Sequence, residues 1–368
     1  MKNEWKTYPF EEVIADVTGG NPKTLQSEFL EKGRYAVVDQ GKELIAGFVD
    51  DESRLCHAPL PVIIFGDHTC VFKFIDFPFC LGADGVKVLR PKVAADPKYL
   101  FHFLQMLRLQ QGGYDRHFKY LKRTEIKLPP LPEQRRIVAI LDQANALRAK
   151  RRATLAKLEE LPQAIFLEMF GDPVTNAKGW KIQKLGAVGS LDRGVSKHRP
   201  RNAPELLGGS YPLIQTGDVA NCNGYIREYS STYSELGLRQ SKMWPAGTLC
   251  ITIAANIAKT GILTFNACFP DSVVGFCAKN PATVELVRVW LSFIQKTLEE
   301  SAPESAQKNI NLAILRNLDM PLPPLSLQLE FAECIRAVEE VKVSQRVHLS
   351  KLENLFAFLQ HRAFQGEL

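Results

Sequence analysis

The eight cysteines (Cys56, Cys70, Cys80, Cys222, Cys250, Cys268, Cys277 and Cys334) form no CxxC pair. That argues against a metal or redox corner, and several thiols sit in apolar runs such as TLCITI and VVGFCAK, so buried free thiols are expected. No run of about eighteen apolar residues occurs, and the amino end, MKNEWKTYPFEEV, has no signal-like apolar stretch. A cytoplasmic protein with no membrane partner is therefore expected. A GxxxxGK[ST] phosphate loop is missing, as is an acidic-or-Asn-Pro-Pro-aromatic motif of the kind that holds a flipped base, because both Pro-Pro pairs stand in LPPL. Nucleotide and methyl-transfer chemistry within this chain is not expected.

At 368 residues the chain exceeds one ordinary core, so two or more domains are anticipated. With 45% hydrophobic and 23% charged residues it reads as globular, and its net charge of +6 suits an anionic partner.

The main positive signal is a duplication. LPPLPEQRRIVAILDQ begins at Leu128 and LPPLSLQLEFAECIRA at Leu322. At the same offset Leu121 matches Leu315, Gln134 matches Gln328, and LAKLEEL (155 to 161) matches LSKLENL (349 to 355), which marks two copies of one structural unit. Each proline pair stops the preceding chain, because proline lacks an amide hydrogen and disfavours helix at the residue before it. A long helix is predicted after each stop.

In the first helix Ile137, Leu141, Ala144, Leu155, Leu158, Ile165 and Met169 recur at three- and four-residue steps. Phe331, Ile335, Val338, Val341, Leu352, Leu355 and Leu359 do so in the second. These narrow stripes predict an antiparallel two-helix coiled coil whose polar middle sets RAKRR (148 to 152) against KVSQR (342 to 346). About 38 residues at ~1.5 Å each give a strut of roughly 57 Å. Pro162 is expected to kink or break the first helix.

Between the stops lie two mixed units, opened by matching Trp5 and Trp180. The first reads as strands YAVVDQ, PVIIFGD, TCVFKFI and DGVKVLRP followed by the helix PKYLFHFLQMLRLQ. The second reads as strands YPLIQTGDV, TLCITIAAN, TGILTF and SVVGFCAK followed by the helix TVELVRVWLSFIQKTLEE. The fold class expected is α+β: two pseudo-twofold-related mixed α/β units joined by two long antiparallel helices.

LPPLPEQRRIVAIL, the FGDP at Phe170 to Pro173, PVIIFGDHTCVFKFIDFPFCLGADGVKVL, and IQTGDVANCNGYI with DSVVGFCAK are similar to the specificity subunit of type I restriction-modification systems. The resemblance covers essentially the whole chain, although LPPLSLQLE lacks the acidic and basic residues of PEQRR. It implies target recognition domains at 1–130 and 172–323, with spacer helices at 131–171 and 324–368. It also implies a noncatalytic reader of a bipartite, asymmetric double-stranded DNA site, docking two modification subunits through its helices, with restriction subunits joining that core. S-adenosylmethionine, magnesium and ATP would then belong to the partners, with no cofactor in this chain.

DNA reading needs cations for the phosphates and amide, guanidinium or imidazole groups for base edges. Candidates in the first unit are Gln40, Lys42, His68, Lys73, Arg116, His117 and Lys119. In the second they are Arg193, Lys197, His198, Arg199 and Arg201 of the loop DRGVSKHRPRN, with Gln215, Asn256, Lys259, Gln307, Lys308 and Asn309. The alternative reading is a stand-alone metal-dependent nuclease using Asp115 with Glu125 and Lys127. Against it, the repeat places Asp319 and Pro321 at the last two positions. His68 to Cys70 (HTC) has no second ligand pair at zinc-like spacing, and no metal is expected.

Overall fold

The structure, a computed structural model, describes residues 5–107, 109, 116–254, 257–301 and 310–368. It divides into two compact units, Met1–Arg151 with His348–Leu368, and Arg152–Val347. Four longer helices are α1 (Pro97–Met106), α2 (Leu131–Phe170), α3 (Pro281–Ser301) and α4 (Leu325–Gln365). Both unit boundaries fall inside α2 and α4, so each unit owns part of both helices.

The first unit holds an antiparallel sheet in the order 14–16, 86–91, 62–66, 72–75, and a mixed sheet in the order 23–24, 79–82, 35–38, 47–49. The second has a corresponding pair of sheets, 190–193, 273–277, 249–252, 260–263 with an added parallel edge strand 224–226, and 231–233, 207–213, 267–268, 243–244. Each unit also carries a two-stranded tie between its start and the residues before its LPPL stop: Lys6 pairs with Leu128, and Lys181 with Leu322. YPLIQTGDV is not one strand. Its strand ends at Leu213, and a helical turn, Thr216–Ala220, follows because the Asp218 carboxylate accepts from Gln215 N at 2.7 Å and caps the turn.

The duplicated glutamines explain the stop. Gln134 Nε2 donates to Pro129 O at 2.8 Å while its Oε1 accepts from Asp96 N at 2.8 Å, just before α1. Gln328 Nε2 donates to Pro323 O at 2.8 Å while its Oε1 accepts from Thr283 Oγ1 at 2.7 Å, in the first turn of α3. Each buried amide thus satisfies a turn carbonyl and latches a long helix onto the preceding one.

The helices end alike as well. Gly171 (φ 76°) and Gly366 (φ 72°) adopt the left-handed conformation that terminates a helix and that glycine takes without a Cβ clash. Trp180 Nε1 donates to Phe170 O at 2.8 Å, and a Cβ at Gly366 would lie 3.5 Å from the Trp5 ring.

Pro162 does not break α2. Proline removes one amide, and the turns beyond it are held by Phe166 and Phe170, whose rings lie 5.9 and 5.3 Å from that of Phe331. Within each unit the two helices run antiparallel. In the first, Arg136 Nη2 donates to Leu368 O at 2.6 Å, and one stretch later Arg148 lies 4.2 Å over the Phe356 ring. In the second, Glu159 faces Lys342 and Arg346, and Phe170 faces Phe331. Within KVSQR, Lys342 and Arg346 thus pair with Glu159.

Ile137, Leu141, Ala144, Phe331 and Ile335 are buried, as the seam requires, and Leu155, Leu158, Val338 and Leu352 are half-buried. Leu355 and Val341 are not in the seam: each is 46% exposed, whereas the next residues, Phe356 and Lys342, are 9% and 2% exposed. A helix of 3.6 residues per turn drifts against a 3.5-residue repeat, so a stripe extrapolated from one end loses phase at the other. The helices are more than a narrow coiled coil. Ile137 and Leu141 share a core with Tyr99 and Leu100 of α1, and Phe331 and Ile335 share one with Leu286 and Trp290 of α3.

All eight cysteines are free. Cys80, Cys250 and Cys268 are buried, Cys56, Cys70, Cys222 and Cys277 are half-buried, and Cys334 is exposed on the outer face of α4. Among the described residues no helix is long and apolar enough to cross a membrane.

Candidate nucleic-acid interface

In the first unit the structure gathers several sequence candidates around one turn, residues 66–70. Gln40 Oε1 accepts from His68 N at 3.3 Å and Gln40 O accepts from Thr69 Oγ1 at 2.6 Å. The same turn is tied to the segment carrying Arg116 and Lys119, because Asp67 O accepts from His117 N at 2.8 Å and Asp67 Oδ1 accepts from Phe118 N at 2.7 Å. Gln40 and His68 are half-exposed, and Lys42, Arg116 and Lys119 are exposed.

Two candidates face inward instead. Lys73 is 5% exposed, and its ammonium donates to Asp39 O at 2.8 Å and pairs with Asp39 Oδ1 at 3.3 Å. Burial pulls its pKa below the usual lysine range, and Asp39 opposes that. His117 is 3% exposed, with Nδ1–H donating to Asp67 O at 2.9 Å. Both brace the turns that carry Gln40 and His68. Their polarity suggested surface chemistry, and only the long-range partner shows that it is spent inside.

In the second unit the loop 193–202 leaves the strand Ser190–Arg193 with Arg193 and Lys197 exposed and His198 half-exposed. Arg199 and Arg201 are exposed as well, but paired. Both converge on Asp271, Arg201 Nη2 at 2.5 Å and Arg199 Nη2 at 3.5 Å. Gln215 and Lys259 are exposed on separate turns. Asn256, Gln307, Lys308 and Asn309 lie outside the described residues. Asp271 and Gln240, whose side chain binds this loop, were not singled out in the sequence because neither stands beside it in the chain.

The nuclease reading gains nothing from the geometry. Glu125 and Lys127 belong to a strand, Glu125–Leu128, paired with Lys6–Pro9, and the Lys127 carbonyl accepts from the Tyr99 hydroxyl at 2.7 Å. Asp115 lies outside the described residues. Among the described residues no three His, Cys, Asp or Glu side chains group so that they could hold a metal ion.

A family model described as the type I restriction modification DNA specificity domain matches residues 2–160 and 177–353, one copy over each half of the duplication. The chain belongs to this type I restriction-modification DNA specificity family. It is 22% identical over 314 residues to the chain named as the type I restriction enzyme MjaX specificity subunit of Methanocaldococcus jannaschii, covering 79% of this chain and 72% of that one. It is 25% identical over 290 residues to the EcoBI specificity subunit of Escherichia coli, and 26% identical over 245 residues to the EcoR124I/EcoR124II subunit of the same organism. These matches cover 67% and 60% of this chain, but only 59% and 57% of the two Escherichia coli subunits.

The fold of the family is found in solved structures. The S subunit of the type I restriction-modification system from M. genitalium superposes with a TM-score of 0.58 at 15% identity, covering 98% of this chain and 96% of that one. A chain from a study of complex assembly and conformational transition in the type I system gives 0.55 at 19% identity, covering 99% and 98%. As a member of the DNA specificity family, this chain is a DNA-recognition subunit, and the family is not a catalytic one.

Proposed function

We propose that the chain reads a bipartite, asymmetric DNA duplex, one block by the turn cluster of the first unit and the other by the 193–202 loop of the second, with an unread spacer between them. The observation that carries this reading is the duplication: two units of one sheet plan, each closed by the same strand tie and glutamine latch, yet with different residues on their exposed turns. Equal frames with unequal reading residues suit two different half-sites. A single uninterrupted site would not need two frames.

On this reading Gln40, Lys42, His68, Arg116 and Lys119 serve the first block, and Arg193, Lys197, His198, Gln215 and Lys259 the second. Asn256, Gln307, Lys308 and Asn309 remain proposed contacts by position in the sequence. The recognition domains span 1–130 and 172–323, and the helices at 131–171 and 324–368 space them. Two modification subunits dock on those helices, and restriction subunits join the same core. Support for docking comes from apolar side chains left open on them: Leu147, Leu355 and Phe358 in the first unit, and Leu329, Val341, Val343 and Val347 in the second, all 44% exposed or more. S-adenosylmethionine, magnesium and ATP are used by the partners, and the assembly works in the cytoplasm.

The spacer length tests the reading. Four residues inserted after Lys150 add about 6 Å of helix, equivalent to about two base pairs of duplex at 3.4 Å each. Sequencing of methylated genomic sites should show the two blocks moved apart with their bases unchanged. An unchanged spacer would remove the helices as the measure of separation.

A further inference from the structure

Past Arg193, the last residue of its strand, the loop 193–202 has no regular strand or helix before residue 204, yet it is held from two sides by residues distant in sequence. On one side Gln240 Oε1 accepts from both Lys197 N (2.7 Å) and His198 N (3.0 Å), and Ser241 Oγ donates to Val195 O at 2.7 Å. On the other, Asp271 pairs with Arg201 and Arg199, while Arg199 Nη1 turns back to donate to Ser196 O (2.7 Å) and His198 O (2.9 Å). The root is fixed too. Gly194 N donates to Val273 O at 2.8 Å, and a Cβ at this position would fall 2.2 Å from Phe269 O and 2.3 Å from Pro270 O.

The five basic residues of this loop therefore divide by role. Arg199 and Arg201 direct their guanidinium groups to a carboxylate and to the loop's own carbonyls. Lys197 and His198 instead have their backbone amides gripped by the Gln240 side-chain oxygen, with the Gln240 carbonyl also accepting from Lys197 N at 3.3 Å. Pro200 O accepts from His198 Nδ1 at 3.2 Å, and these contacts set the direction their side chains leave the chain. Arg193 is exposed at the end of a strand. Base reading depends on donors and acceptors standing in a fixed place, so a preformed loop discriminates better than one that must order on contact.

We propose that Gln240 and Asp271 are positioning residues for sequence discrimination by the second unit. They hold the backbone of 195–201 so that Lys197 and His198 are presented to the duplex, and Arg199 and Arg201 serve the loop and not the DNA. This rests on the reading that the loop meets DNA.

The test uses the full chain with its modification subunits, the cognate duplex defined by methylation sequencing, and duplexes with single changes in the second block. Dissociation constants are measured across a salt series. Lys197→Ala should lower the salt slope by about 0.9, the value for one phosphate contact, whereas Arg201→Ala should leave the slope unchanged. Gln240→Ala should cut discrimination between cognate and changed duplexes about tenfold with an unaltered salt slope. Gln240→Glu keeps an acceptor for both amides and gives up only an Nε2 that has no partner, so it should keep discrimination even as its charge weakens overall affinity. Wild-type discrimination in a folded Gln240→Ala chain, or a slope lowered by Arg201→Ala, overturns the positioning role. If Lys197→Ala, Arg193→Ala and His198→Ala all leave binding unchanged, the loop does not meet DNA and the underlying reading fails instead.

Discussion

The two units pack the same pair of helices with opposite chemistry. In the first, α2 and α4 meet through Ile137, Leu141, Ala144, Phe356, Ala363 and Phe364, an apolar and aromatic contact shared with Tyr99 and Phe103 of α1. In the second, the aromatic contact at Phe166, Phe170 and Phe331 gives way to charge. Lys342, 2% exposed, donates to Glu159 at 2.9 Å and Glu339 at 2.8 Å, while Arg346 and Arg227 take the remaining carboxylate oxygens at 2.8 and 3.1 Å. Arg227 belongs to the sheet region of the unit, so the cluster also ties the recognition sheet to α4. A seam can thus be closed by burial of apolar area or by a fully partnered ionic network. The second is less forgiving at its centre, because Lys342 and Glu339 are buried and loss of a partner leaves the other short of compensation.

That contrast can be broken most forcefully at Leu141 in the first unit. Leu141→Ala has an expected loss of about 2 to 5 kcal/mol from lost burial and a cavity. No salt dependence should accompany it. In the second unit the matching change is at Lys342. Lys342→Met should destabilise the chain by about 1 to 3 kcal/mol in denaturant unfolding, because two carboxylates lose their common cation and each keeps only an arginine. Replacing Glu159, Glu339 and Lys342 together by leucine should leave stability unchanged or raise it, since the two charges that lose their partners, Arg227 and Arg346, are about one-third exposed and reach water. A triple variant as unstable as Lys342→Met would show that shape and not charge governs this seam.

The latches should not differ between units. Gln134→Ala and Gln328→Ala each leave a turn carbonyl and one donor unpaired, at about 1 to 3 kcal/mol apiece. A large inequality between them would mean that the duplicated stop does not carry equal load.

The smallest effect is a pH dependence confined to the first unit. His102 on α1, 1% exposed, bonds Asp142 of α2 through Nε2 at 2.9 Å, and Lys98 pairs with the same carboxylate at 2.7 Å. Burial holds His102 below the usual histidine range, although Asp142 opposes this. Burial pushes Asp142 up, but hydrogen bonds from Lys98 and His102 outweigh it and hold its pKa below the usual carboxylate value. The unfolded chain then binds more protons at His102 than the folded chain does below about pH 6.5. Its contribution is present above that value and is lost as pH falls toward the lowered pKa, whereas that of Asp142 is lost only in stronger acid. Thermal midpoints should fall between about pH 7.5 and 5.5, and His102→Asn should flatten that slope. At the α4 position that matches Asp142 in the duplication the second unit carries Arg336, so the same pair does not recur there.

Much of the plan was legible without coordinates because it is written in local signals. Proline pairs mark the stops, Leu131 and Leu325 open long amphipathic helices, and runs such as PVIIFGD and SVVGFCAK contain strands. What escaped was short or distant. The strands Lys23–Thr24 and Ala267–Cys268 are two residues long and depend on partners elsewhere in the chain. Lys73 and His117 look like surface contacts until Asp39 and Asp67 are set beside them.

The amino-acid sequence by itself determined that there are two copies, where each copy stops and which helices follow, because duplication, proline chemistry and helical periodicity act over a few neighbouring residues. Only the tertiary structure decided which side of each helix turns inward, placing Lys342 and Phe356 inside where Val341 and Leu355 were expected. It also decided which loop cations stay free, since Asp271 claims Arg199 and Arg201 from some seventy residues away. Such choices depend on partners that the chain brings together only when it folds, and no local pattern records them.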